Sequence, residues 1–85
     1  MTHLLGIPQE IASYVQNAEY ALERARSAYD TNPMLARFSL EEAERLLDEG
    51  LLKIGMTRYV STNPCVHLYG QIMRGWNHLN SRVPL

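Results

Sequence analysis

Hydrophobic positions recur at helical spacing in three segments of the chain. Advancing about 100° per residue, Ile11, Tyr14, Val15, Ala18, Ala21, Leu22, Ala25, Ala28 and Tyr29 fall on one arc, and Gln16, Glu19, Glu23, Arg24 and Arg26 fall opposite. This predicts a first helix over residues 8–30. Pro8 suits its first position, where the missing N–H would be unpaired anyway. The stripe is rich in alanine, so a partner helix can approach closely.

Thr31-Asn32-Pro33 supplies a strong N-cap followed by the residue favoured at the next position. The second helix is therefore expected over 33–55, with Gly55 as its stop. Ala36, Leu40, Ala43, Leu46, Leu47, Gly50, Leu51 and Ile54 share one face, and Arg37, Glu41, Glu44, Arg45 and Asp48 the other. Gly50 lies on the buried arc, where its cost of about 1 kcal/mol relative to alanine points to a close backbone contact or a kink. Residues 56–62 read as an extended connector, with the second helix running on to Tyr59 as the alternative. Thr62-Asn63-Pro64 then repeats the cap and predicts a third helix over 64–79, whose broad face carries Cys65, Val66, Leu68, Tyr69, Ile72, Met73, Trp76 and Leu79. Both chain ends read as loose.

A connection as short as that between the first two helices makes them antiparallel neighbours. The expected fold is all-α: an antiparallel αα-hairpin plus a third packing helix, a three-helix bundle. Ala21, Ala25, Ala28 and Pro33 are spaced as in the second helix of a tetratricopeptide repeat, and Ala43, Leu46 and Gly50 resemble its next first helix. The match covers less than half the chain. The next proline comes too early, and Ser39 and Glu42 stand where bulky residues belong. The two Thr-Asn-Pro signals are therefore read as shared capping chemistry.

Length and charge then narrow the picture. With 85 residues the chain forms one domain, 1–85, and its core is small. Small helical domains often complete such a core by pairing, so a homodimer is expected. A formal net charge of −1 gives no general attraction to nucleic acid or anionic lipid. The single cysteine, Cys65, cannot form an internal disulfide. Residues 1–8 do not read as a secretory signal, and no stretch approaches the ~18–20 apolar residues that span a bilayer. A cytoplasmic location is the default expectation.

Three large side chains fall outside the core arcs. Tyr20 sits on the polar face of the first helix with Arg24 one turn on, and Phe38 and Leu52 sit on the polar side of the second. Tyr, Phe and Arg anchor many protein interfaces, so Tyr20, Arg24, Phe38 and Leu52 are the candidates for protein contact. On the third helix His67, Gln71, Arg74 and His78 form one polar row. There His67, Arg74 and His78, with Arg58 and Tyr59 nearby, are candidates for a phosphate- or carboxylate-bearing ligand.

No cofactor or metal is expected. His67 and His78 would stand about 16 Å apart on a helix rising ~1.5 Å per residue, too far to share an ion, and Cys65 reads as a core residue. The acidic run Glu41, Glu42, Glu44, Asp48 and Glu49 is expected to point mostly outward near the start of a helix, where negative charge is favourable. No nucleophile–base–orienter set or glycine-rich phosphate loop is visible, so the chain is not expected to be an enzyme. The function expected is a small protein–protein interaction module (adaptor, inhibitor or chaperone-like, of bacterial or phage type), acting as a homodimer. The alternative is a small-ligand or nucleotide binder using the His/Arg face of the third helix.

Overall fold

The computed structural model describes residues 8–58 and 65–82. Among these the chain forms three α-helices and no strand: α1 (Ala12–Ala28), α2 (Pro33–Lys53) and α3 (Val66–Arg82). No helix among them is long and apolar enough to cross a membrane.

The chain reaches α1 through a single 3-10 turn, Gln9–Ile11, closed by the Ile11 N–H donating to the Pro8 carbonyl at 3.1 Å. The α-helical bonding therefore begins at Ala12 rather than at Pro8. The start of α2 is capped by Asn32, whose side-chain oxygen accepts from the Leu35 N–H at 3.2 Å, with Pro33 in the first turn. Asn32→Ala removes that acceptor while leaving the core intact. It should lower stability by about 1 kcal/mol in a urea titration.

The end of α2 is set by Gly55, whose φ of +73° is the left-handed conformation that a β-carbon disfavours. The Gly55 N–H donates to the Leu52 carbonyl at 3.1 Å and the Met56 N–H to the Leu51 carbonyl at 2.9 Å. These paired bonds satisfy the last carbonyls of the helix and turn the chain back. That turn brings Met56 against the core and places Arg58 beside α2.

The stripes predicted for α1 and α2 bury together. Val15, Ala18, Ala21, Leu22 and Ala25 pack with Ala36, Leu40, Ala43, Leu47 and Leu51, all nearly or fully removed from solvent. Gly50 marks a close approach of α1 to α2. A β-carbon there would lie 2.9 Å from Tyr14 Cβ and 3.5 Å from Ile11 Cβ, so the glycine reflects helix contact. Further along α1, Arg24 Nη1 reaches Glu42 Oε2 at 3.7 Å. Ser39 is fully buried in α2, and its hydroxyl has no hydrogen-bond partner among the described residues.

Cys65, just before the third helix, and Tyr69, Ile72 and Leu79 within it join the same core, with Leu68 and Trp76 partly covered. Gly75 admits the Tyr29 hydroxyl and the Leu40 methyls to the helix backbone, because any side chain at 75 would collide with that hydroxyl. Helix α3 continues through Asn80 and Ser81 to Arg82, past the stop expected at Leu79, and the Ser81 hydroxyl donates to the His78 carbonyl at 2.9 Å. Val66 and Met73, expected on the core face, are instead 51% and 55% exposed, because they lie at the edge of an arc too wide for two neighbouring helices to cover. The expected start at Pro64, its Thr62-Asn63 cap, Tyr59 and the rest of the connector to residue 62 lie outside the described residues, as do residues 1–7 and 83–85.

Candidate functional site

Two acidic residues expected to point outward, Glu44 and Asp48, instead lie at the α2–α3 boundary and hold a polar clasp. They stand one turn apart, so their carboxylates face the same neighbour. Arg58 donates through Nε to Asp48 Oδ1 at 3.2 Å, through Nη2 to Asp48 Oδ2, and through Nη1 to Glu44 Oε2 at 3.3 Å. From α3 the Tyr69 hydroxyl donates to Asp48 Oδ1 at 2.6 Å and the Trp76 indole N–H to Glu44 Oε1 at 2.6 Å. The Arg58 guanidinium also lies 4.7 Å from the Tyr69 ring centre, in cation–π range.

Partial burial pulls the Asp48 carboxyl upward, but hydrogen bonds from Arg58 and Tyr69 and the Arg58 charge outweigh it and hold the group below its ordinary value. Burial, and then the bond to Asp48, push the Tyr69 phenol well above its usual range. The Asp48 bonds likewise raise Arg58, so its cation is fixed. Every polar head in the clasp has a partner, which makes it a lock between α2, α3 and the chain after Gly55.

The His/Arg row of α3 divides. His67 lies on the α1 side, where its Nε2 is 2.8 Å from Gln71 Nε2. The Gln71 carbonyl oxygen accepts from Arg26 Nη2 at 2.6 Å, so its amide nitrogen is the end that faces the His67 ring. Arg74 and His78 line a cleft of about 260 Å³ with Arg26, Tyr29, Gln71 and Gly75. The His78 and Tyr29 rings are 4.9 Å apart and tilted by 37°. Burial raises the Tyr29 phenol, partly countered by Arg26, so the hydroxyl stays protonated and able to donate. Arg74 has no ion pair or side-chain hydrogen bond among the described residues. Arg58, grouped with this row from the sequence, belongs to the clasp instead.

The four protein-contact candidates do not form one patch. Tyr20 is 60% exposed on α1 and accepts a bond from Gln16 at 3.4 Å. Arg24, one turn on, is drawn to Glu42. Phe38 and Leu52 are 63% and 68% exposed and share the outer face of α2, about 21 Å apart at ~1.5 Å per residue. Met34, 76% exposed, joins them one turn before Phe38. Leu52 borders a cleft of about 470 Å³ lined by Asp48, Met56, Thr57 and Arg58. Periodicity does not single out Met34, because it sits in the first turn, where the phase of the helix is hard to assign. Among the described residues no three His, Cys, Asp or Glu side chains gather closely enough to hold a metal ion.

No protein-family model, no curated protein and no solved structure matches the chain.

Proposed function

We propose that this protein is a small helical interaction module that acts as a homodimer, built on an antiparallel α1–α2 hairpin closed by α3. The reading rests on one observation, the order of side chains along the outer face of α2. Met34, Phe38, Glu41, Arg45, Glu49 and Leu52 follow one another there, all exposed. Two copies of α2 laid antiparallel about residue 43 bring Met34 opposite the partner's Leu52, and Glu41 opposite the partner's Arg45. These two pairings match in apolarity and in charge, as a two-fold interface requires, and Phe38 falls opposite the partner's Asp48. The cleft beside Leu52 and Met56 gives an apolar side chain of the partner a place to lie. A net charge of −1 opposes association only weakly.

Light scattering on the full chain should report a dimer at high micromolar concentration. Arg45→Glu should yield a monomer, since it sets acid against the partner's Glu41. Adding Glu41→Arg should restore the dimer by exchanging the charges. A wild-type monomer at all concentrations, or a dimer indifferent to Arg45→Glu, would reject this interface.

A further inference from the structure

We infer that the cleft between α1 and α3 binds a small phosphate-bearing anion, held by Arg26, Tyr29, Arg74 and His78. The inference is independent of the α2 interface and uses the side of the molecule where α1 meets α3.

The chain has nine acidic and eight basic side chains, yet this cleft is lined by two guanidiniums, an imidazole, a phenol and a carboxamide, and by no carboxylate. Elsewhere Arg24, Arg45 and Arg58 each rest on acidic partners. Paired cations leave no continuous basic track for a polymer backbone, so the ligand class is a small molecule.

The donors are arranged in advance. The His67–Gln71–Arg26 chain fixes one guanidinium at the wall of the cleft. Its other contact, Arg26 Nη1 to Glu23 Oε2 at 3.5 Å, involves a carboxylate that is 73% exposed and well screened by water. Packing of Tyr29 against His78 and the backbone of Gly75 sets the phenol in the same wall. Arg74 completes the set with a guanidinium free to turn inward. Guanidiniums recognise phosphate through paired N–H donors. A phosphoryl group offers several acceptor oxygens to these convergent donors, more than a carboxylate does.

The test is titration of the full chain with inorganic phosphate and with pyrophosphate at constant ionic strength, followed by amide chemical shifts. Saturable shifts centred on Arg26, Tyr29, Gln71 and Arg74 are expected, with pyrophosphate binding more tightly than phosphate. Arg74→Ala should weaken binding by about tenfold or more. Lys53→Ala, at the end of α2 over the Tyr14 ring, should leave binding unchanged. Arg26→Gln serves as a second variant and should also weaken binding. The inference is overturned if the shifts fail to saturate, if Arg74→Ala binds like wild type, or if an oligonucleotide without end phosphates binds more tightly than pyrophosphate.

Discussion

Gly50→Val is expected to lower stability by about 2–3 kcal/mol, whereas Gly70→Ala, also a helical glycine substitution, should raise it by up to about 1 kcal/mol. At position 50 even the first added carbon would meet Tyr14 Cβ at 2.9 Å and Tyr14 Cγ at 3.3 Å. Tyr14 Cβ is attached directly to the backbone and cannot rotate away, so α1 itself must shift. That shift would open the alanine-lined seam where Ala18, Ala21 and Ala25 pack against α2. Valine adds two methyl groups to the collision and gains little helix propensity over glycine. At position 70 nothing lies within 4 Å of an added methyl group, so alanine there only restricts the unfolded chain. Urea unfolding followed by Trp76 fluorescence measures both. Equal effects of the two substitutions would mean that the helices are not in contact at Gly50.

Asp48→Asn should cost about 1–2 kcal/mol at neutral pH and flatten the loss of stability in acid. The magnitude is that of charge-assisted hydrogen bonds exchanged for neutral ones, reduced because the Asp48 side chain is 42% exposed. The direction follows from linkage. The folded-state carboxyl titrates below its ordinary value of 3.8, so its stabilising contribution is complete above that value and is lost as pH falls through the lower, folded one. Wild type should therefore lose this contribution progressively below about pH 4, and the variant has no such proton to bind. Tyr69→Phe, which removes one of the two residues bonding to Asp48, should show an intermediate acid limb. Superimposable pH profiles for wild type and Asp48→Asn would show that the clasp does not contribute to stability.

The sequence discloses the helices because capping and periodicity are local. Asn32 meets its N–H three residues away, and Gly55 supplies a backbone angle that few other residues adopt. The clasp is hidden because helical periodicity measures distance from the centre of a buried arc, not which neighbour lies along its flank. Glu44 and Asp48 sit on that flank, and only the turn after Gly55 brings Arg58 back to them. A signal is nevertheless present: Tyr69 and Trp76 on a core face carry an O–H and an N–H that need acceptors when covered. The cleft is half legible. Arg74 and His78 share a row on α3, but periodicity puts Arg26 on the solvent face of α1. Its partner Gln71 lies 45 positions away, beyond the reach of any local pattern.

Cys65 gives the fold a built-in clock. The thiol is fully covered at the base of α3, and burial raises its pKa. A thiol-specific reagent therefore has to wait for α3 to lift before it can react. With reagent dilute enough that reclosing outruns modification, the labelling rate reports the equilibrium between docked and lifted α3. One chemical trace can thus follow a motion of a single helix that whole-chain unfolding averages away.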